Sequence, residues 1–196
     1  MPMPLLVIVT GPPCAGKTFI ARRLAEALTL PLIGKDDIKE VLFDSLRWSD
    51  RAWSRKLSNA SYDLIYLFLE RLLSVGRSCI VESNFKPDTD TARLQALKSR
   101  YPFRNLQICC KAAGPTLVRR FRERWANGKR HPGHVDAESI DELEPGLLSD
   151  EDPTLALDGE ALNVDTTDFG QVNIGALIQA TRRALAKAER ETHASD

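Results

Sequence analysis

The chain has 196 residues, with 43% hydrophobic residues, 28% charged residues and 27 Lys+Arg against 27 Asp+Glu. This length and composition predict a single globular domain over residues 1–196, without repeats or low-complexity tracts. The balanced charge excludes a general attraction to nucleic acids or membrane surfaces. Because no run approaches the ~20 apolar residues of a membrane helix, we expect a cytoplasmic protein with reduced cysteines and no membrane contact.

The predicted elements alternate between strands and helices. Apolar runs and helical spacings predict, in chain order, strand 5–9, helix 18–30, strand 32–33, a helix from residue 38, helix 51–75, strand 79–81, helix 89–100, strand 106–110, helix 115–127, strand 161–164 and helix 172–187. Residues 128–153, rich in Gly, Pro and acids, predict a loop with a short helix. The alternation predicts a three-layer α/β fold with a five-stranded parallel sheet, whose ligands bind at the carboxyl ends of the strands.

The first strand and helix flank a phosphate-loop motif. Residues 11–18 match G-x-x-x-x-G-K-[ST], and this strand–loop–helix context makes the match specific. Backbone N–H groups of such a loop bind phosphate oxygens, helped by the dipole of the following helix. The motif therefore predicts ATP and Mg²⁺ as ligands, with Lys17 on the β- and γ-phosphates and Thr18 on Mg²⁺. The predicted nucleotide-binding residues of the loop are Gly11, Pro12, Pro13, Cys14, Ala15, Gly16, Lys17 and Thr18.

Two acids follow the second predicted strand, at the ligand edge of the sheet. Asp37 and Glu40 have the spacing of a helix capping pair, which leaves Asp36 free to face the phosphates. A carboxylate at this place can accept the proton of an attacking hydroxyl, so Asp36 is the predicted catalytic base. The alternative is that both acids are solvated residues ahead of a helix.

Polar residues also end the third predicted strand. Glu82 is a candidate holder of a magnesium-bound water or substrate contact, and Asn84 is a candidate acceptor contact. The alternative is a polar turn with no role in chemistry.

Basic residues crowd the helix predicted over residues 115–127 and its exit. Arg120 and Arg124 are four residues apart and share a face, which predicts two catalytic cations that neutralise charge on a transferred phosphoryl group. A solvated charged face is the alternative. Beyond the helix, the sequence GKRHPGH at 128–134 predicts a mobile loop. We assign it to a helical lid of about residues 115–136, with Arg130 and His131 on the substrate; a metal site at the histidines is a weaker alternative because no acidic or cysteine cluster matches it.

Together these residues resemble the small P-loop kinases of the AAA_33 or zeta-toxin-like group, which includes polynucleotide kinase, chloramphenicol phosphotransferase and gluconate kinase. The resemblance implies a nucleoside-monophosphate-kinase-like fold, Asp36 as base, Lys39 as an acceptor contact, and Arg120 and Arg124 as lid arginines. It also implies that Asp165 and Thr166, which follow the last strand, border the adenine. Lys39 stands where polynucleotide kinase has an arginine, and that enzyme lacks the HPGH loop.

The leading functional prediction is a kinase that transfers the γ-phosphate of ATP to a hydroxyl of a small-molecule acceptor. One alternative is a nucleotide-dependent switch or slow NTPase that acts through a protein partner. Another is a kinase of polynucleotide 5′-hydroxyls or nucleotide sugars, although the balanced charge argues against a nucleic-acid acceptor.

Overall fold

A computed structural model describes residues 3–128, 130–149 and 151–193, so Lys129 of the predicted lid lies outside the described residues. The strands are β1 (Leu5–Thr10), β2 (Leu32–Gly34), β3 (Cys79–Glu82), β4 (Arg104–Lys111) and β5 (Glu160–Asp165). The helices are α1 (Lys17–Leu28), α2 (Lys35–Leu46), α3 (Arg51–Leu73), α4 (Pro87–Arg100), α5 (Gly114–Ala126), α6 (Asp136–Leu148) and α7 (Ile174–His193).

The five strands form one sheet in the order β2-β3-β1-β4-β5. Every neighbouring pair is parallel, which confirms the predicted five-stranded parallel sheet. Each strand returns through a helical connection, because parallel neighbours cannot be joined by a tight hairpin. All five carboxyl ends therefore meet at one edge of the sheet.

Two cores cover the two faces of the sheet. Side chains alternate along a strand, so Leu5, Val7 and Val9 of β1 join the core formed with α1, α5, α6 and α7. Leu6 and Ile8 point to the other face and join the core formed with α3 and α4. The central strand is thus buried on both sides, as its continuous apolar run predicts. Across the ranges that the structure describes, no helix is both long and apolar enough to cross a bilayer.

The structure corrects two local predictions. The segment expected to be loop with a short helix contains the 13-residue helix α6, which accommodates Pro145 near its end. Asp37 does not cap α2, because the helix begins earlier and its N-cap residue is Gly34, without a side-chain capping bond. Asp37 instead pairs with Arg22 at 3.1 Å, so its side chain faces away from the predicted catalytic position.

Candidate functional site: a phosphate loop facing a basic cavity

The loop between β1 and α1 has the backbone of an anion-binding loop. Gly11 has a φ of 141°, and a Cβ at this position would collide with the backbone carbonyl of Cys110. Only glycine fits such a conformation and approach. Cys14 and Gly16 are also left-handed, with φ of 66° and 74°, and α1 begins directly behind them. Successive N–H groups of such a turn, with the helix dipole, bind anions.

Lys17 is buried at the base of this loop. Its Nζ donates a hydrogen bond to the Pro12 carbonyl at 2.8 Å, and its side chain lines the adjoining cavity. Burial lowers the pKa of Lys17, and the negative charge of Glu82 opposes that shift. The ammonium is thus held in place before a phosphate arrives.

Thr18 and Glu82 meet at the mouth of the loop. The Thr18 hydroxyl donates to Glu82 Oε2 at 3.1 Å, and burial raises the pKa of Glu82 while Lys17 opposes the rise. A hydroxyl and a carboxylate beside a phosphate loop fit Mg²⁺, which uses one or two protein oxygens together with phosphates and waters. Glu82, predicted among the substrate contacts, therefore lies where it would hold Mg²⁺ with Thr18.

Asp36 lies at the start of α2 and lines the same cavity. Arg130 Nη2 donates to Asp36 Oδ2 at 3.1 Å and approaches His134 Nδ1 at 2.8 Å. Burial alone would raise the pKa of Asp36, but the nearby positive charges, led by Arg130, outweigh it and lower the pKa. Asp36 is therefore ionised, and Arg130 occupies it in this structure.

His134 is a buried neutral side chain that anchors this arrangement. Because arginine can only donate, Nδ1 of His134 accepts from Arg130, and Nε2 then donates to Glu40 Oε1 at 3.0 Å. Burial and the adjacent Arg130 charge lower the pKa of His134, in agreement with this assignment. Glu40 thus holds the lid loop rather than a capping bond.

The HPGH loop is docked on α2. The His131 ring stacks on Phe43 at 5.0 Å between centroids, and His134 meets the same ring edge-on at 5.2 Å. His131 Nε2 lies 3.1 Å from Asp44 Oδ1. His131, predicted as a substrate contact, thus lies outside the cavity lining because Phe43 and Asp44 hold it on the far side of α2. Over the described stretches of the chain, no group of three metal-ligating His, Cys, Asp or Glu side chains is found.

Gly133 allows this close docking, which gives a testable expectation. A Cβ on Gly133 would lie 2.6 Å from Phe43 Cγ, so Gly133→Ala should destabilise the fold by about 1–3 kcal/mol. Gly146→Ala is the matched control, since nothing lies within 4 Å of its added Cβ, and alanine in a helix should stabilise by about 0.5–1 kcal/mol. Urea unfolding measures both changes. Equal effects of the two substitutions would contradict the docking.

The predicted lid arginines have different surroundings. Arg120 Nη2 donates to the carbonyls of Thr166 and Thr167 at 2.7 and 3.0 Å, and its guanidinium stacks on Phe169 at 4.3 Å. Arg120 therefore joins α5 to the loop that follows β5. Arg124 also lines the cavity, and its Nε has no hydrogen-bond partner in the part of the chain that the structure describes.

Of the two residues predicted to border the adenine, Thr166 contacts the phosphate loop, whereas Asp165 bonds to the loop that follows β5. The buried hydroxyl of Thr166 lies 3.0 and 2.9 Å from the carbonyl oxygens of Ala15 and Lys111, which share its single proton. Asp165 accepts from the Thr167 backbone N–H at 2.8 Å. Neither residue lines the cavity, whereas Phe169, which the sequence did not reveal, does.

A cavity of about 430 Å³ collects most of the predicted residues. This volume suits a small-molecule ligand. The predicted residues that line it are Pro13, Cys14, Gly16, Lys17, Thr18, Asp36, Lys39, Glu82, Asn84, Arg120, Arg124 and Arg130.

Lys35, Arg51, Arg55 and Ser58 also line the cavity and were not predicted. Arg51, Arg55 and Ser58 recur at a helical spacing near the start of α3. An arginine in a first helical turn opposes the helix dipole. This unfavourable placement of Arg51 is the sequence signal that could have indicated a functional role.

Lys39 is the most unusual of these cations. Its side chain is only 5% exposed, and its Nζ donates to Ser54 Oγ at 2.9 Å. Burial, reinforced by the charge of Lys35, lowers the pKa of Lys39 to about 7. A lysine with such a pKa is close to half-protonated at neutral pH in the unliganded protein.

This lowered pKa predicts how a substitution changes stability with pH. The unfolded chain, with the higher pKa, binds more protons between pH 7 and 10, so the cost of Lys39 falls as pH rises through this range. Lys39→Met should therefore raise the free energy of unfolding relative to the original chain by on the order of 2 kcal/mol more at pH 6.5 than at pH 9.5. Urea unfolding at both pH values measures this difference, in which the lost Ser54 bond is a constant offset. A pH-independent difference would contradict it.

With the geometry established, comparisons with known proteins identify the family. The sequence matches the AAA_33 family model, described as an AAA domain, over residues 6–145. No curated protein matches it significantly.

Several solved structures resemble the chain over nearly its whole length. A candidate kinase from Chloroflexus aurantiacus j-10-fl is 44% identical with a TM-score of 0.86, over 93% of this chain and 99% of that chain. Chaetomium thermophilum Kti12 in complex with ADP-AlF3 is 17% identical with a TM-score of 0.61, over 92% and 98% of the two chains. A gluconokinase from Sinorhizobium meliloti 1021 is 15% identical with a TM-score of 0.51, over 100% and 99%. The last two share the fold alone. The chain belongs to the AAA_33 family and has the fold of P-loop kinases.

Proposed function

We propose that the protein is an ATP-dependent phosphotransferase that moves the γ-phosphate of ATP to a hydroxyl of a small-molecule acceptor. The observation that carries the proposal is the common cavity of Lys17, Thr18 and Asp36. A phosphate loop alone would serve any nucleotide-binding protein. A carboxylate opposite that loop adds a group that can accept a proton from an attacking hydroxyl.

The transfer needs little covalent chemistry from the protein. The acceptor oxygen attacks the γ-phosphorus, the bond from that phosphorus to the β,γ-bridging oxygen breaks, and ADP leaves with the bond's electrons. Asp36 takes the hydroxyl proton, while Lys17 and Arg124 stabilise the charge on the phosphate oxygens. Mg²⁺, held through Thr18 and Glu82, would neutralise charge on the β- and γ-phosphates.

Before Asp36 can act as the base, Arg130 must move away from it. The 3.1 Å contact between them engages Asp36 Oδ2, one of the two carboxylate oxygens that could accept the proton of an acceptor hydroxyl. Acceptor entry would therefore shift Arg130 towards the phosphate oxygens, where its charge would support the transfer. Asp136 lies 3.3 Å from Arg130 Nε and offers the guanidinium a second carboxylate during this shift.

The direct test is ADP formation by the purified protein with Mg-ATP across sugars, nucleosides, hydroxy acids, oligonucleotide 5′-ends and antibiotics. Stimulation by one class well above the rate without acceptor, with the phosphorylated product seen by mass spectrometry, is the expected result. A flat response with tight ATP binding would oppose the kinase and favour a nucleotide-dependent switch that acts through a protein partner.

A further inference from the structure

We infer that the acceptor is a small hydroxy compound with an oxyanion, a carboxylate or phosphate ester, which binds a basic wall formed by Lys35, Lys39, Arg51 and Arg55. The inference that this compound is a phosphate acceptor rests on the proposed kinase function, whereas the anion site itself does not. All four side chains line the cavity that contains Lys17 and Asp36. They come from α2 and from the start of α3, two helices that pack together.

The two lysines of the basic wall have no carboxylate of their own. Among residues 3–128, 130–149 and 151–193, neither Lys35 nor Lys39 forms an ion pair. Lys35 Nζ lies 5.2 Å from the centre of the Tyr62 ring, and Lys39 Nζ lies 5.1 Å from that of Phe43. A buried ammonium with only a hydroxyl and an aromatic ring is costly unless a negative charge joins it. The cavity thus has a place for an anion beside Lys39.

The ATP phosphates do not account for this wall. They are served by the N–H groups of residues 11–18 and by Lys17. The charges that act most strongly on Lys39 are Lys35, Asp36, Arg130 and Arg51, none of which belongs to the phosphate loop. The basic wall therefore lies on the α2–α3 side of Asp36, where the molecule that gives its proton to Asp36 would lie.

Glu142 shows what the two arginines bind. This carboxylate, from α6, receives Arg55 Nη2 at 2.7 Å and Arg51 Nη2 at 3.3 Å. Two guanidiniums that converge on one carboxylate form an oxyanion site, since each can donate in parallel to its oxygens. Glu142 is half-exposed and lies outside the cavity lining, so an acceptor oxyanion in the cavity would compete with it for the two guanidiniums.

The charge count of the cavity supports an anion over a neutral acceptor. The acceptor side holds the four basic-wall side chains, with Lys39 only partly protonated, and Arg130, against Asp36, Asp136 and Glu142, so positive charge remains in excess. A neutral polyol would leave this excess uncompensated, whereas an oxyanion would offset part of it. A hydroxyl on the same molecule can then reach Asp36 while the oxyanion is held by the wall.

The test separates anion binding from phosphate transfer. With a non-hydrolysable ATP analogue and Mg²⁺ saturating the phosphate loop, calorimetry would measure inorganic phosphate and two matched pairs, ribose 5-phosphate against ribose and glycerate against glycerol. We expect each anionic member to bind at least about tenfold more tightly than its neutral counterpart. The two pairs distinguish a phosphate ester from a carboxylate as the oxyanion.

Variants then assign the binding to the wall. Arg51→Gln with Arg55→Gln should weaken the anions at least about tenfold and leave the neutral members unchanged. Glu142→Gln should tighten the anions by about threefold or more, because it removes the competing charge. Arg93→Gln with Arg100→Gln is the matched control, since these arginines form exposed ion pairs on α4.

Three outcomes would overturn the inference: no anion binds, neutral members bind as well, or the Arg51/Arg55 double variant binds anions normally. Turnover is scored separately. Anion binding through the wall with no phosphorylated product from any acceptor would uphold the site and reject the kinase function. Phosphorylation of neutral and anionic members with equal kcat/KM would uphold the kinase function and reject the basic wall as the acceptor site.

Discussion

Replacing Lys17 with methionine should lower kcat at least about 100-fold for any acceptor, because it removes a preorganised cation from the transferred phosphoryl group. The substitution should leave the protein folded. Methionine keeps most of the volume, and the loss of one hydrogen bond to Pro12 is offset by removal of a buried charge. We therefore expect a change of no more than ~1 kcal/mol in the free energy of unfolding.

The control for Lys17→Met is Lys98→Met, since Lys98 contacts Asn105 at 3.3 Å, outside the lining of the cavity. Initial rates with saturating acceptor, together with urea unfolding, measure both variants. Full activity of the Lys17 variant would reject the loop as the site of phosphate transfer. A collapse of stability in parallel with activity would show instead that the ammonium holds the loop together.

Asp36→Asn should lower kcat by about 10²- to 10⁴-fold, the range for loss of a positioned general base. The apparent Kd of Mg-ATP should stay nearly constant, because the phosphate loop is untouched. Asp37→Asn is the matched control. Its carboxylate is adjacent in sequence but pairs with Arg22 on the exposed side of α2, so its loss should leave kcat unchanged.

The pH profile gives a second check on Asp36. Its pKa is held below the ordinary value, because Arg130 and other cations outweigh the effect of burial. The carboxylate is then ionised across pH 5–8 in the free enzyme, so deprotonation of Asp36 should produce no acid limb in kcat/KM over that range. An acid limb that disappears in Asp36→Asn would contradict the assigned charge state, while equal activity of the two aspartate variants would reject Asp36 as base.

The sequence predicted the sheet and the phosphate side of the site because both depend on short-range patterns. The buried run of β1 and the motif at residues 11–18 are contiguous, and each has one common structural solution. The end of β2 likewise brought Asp36 to the ligand edge, since parallel strands end together.

The acceptor side was hidden because it depends on contacts between distant segments. Arg130 and Asp36 are 94 residues apart, as are His134 and Glu40. Residue spacing within a short segment cannot predict such pairs. The capping prediction failed because α2 begins earlier than its apolar spacing indicates. An early start of α2 at Lys35 moved Asp37 from a capping position into the first turn, where Arg22 takes its carboxylate.

The ion pair between Arg130 and Asp36 also bears on the rate at which ATP would be hydrolysed without an acceptor. A P-loop protein with a free carboxylate beside bound ATP would activate stray solvent molecules and hydrolyse ATP without useful work. In the resting arrangement Arg130 Nη2 donates to Asp36 Oδ2, and the positive charge of Arg130 helps to lower the pKa of this carboxyl, which makes the carboxylate a weaker base towards solvent. In the proposed kinase, the docked lid loop would therefore limit futile hydrolysis, and an acceptor that displaces Arg130 would restore the basicity of Asp36.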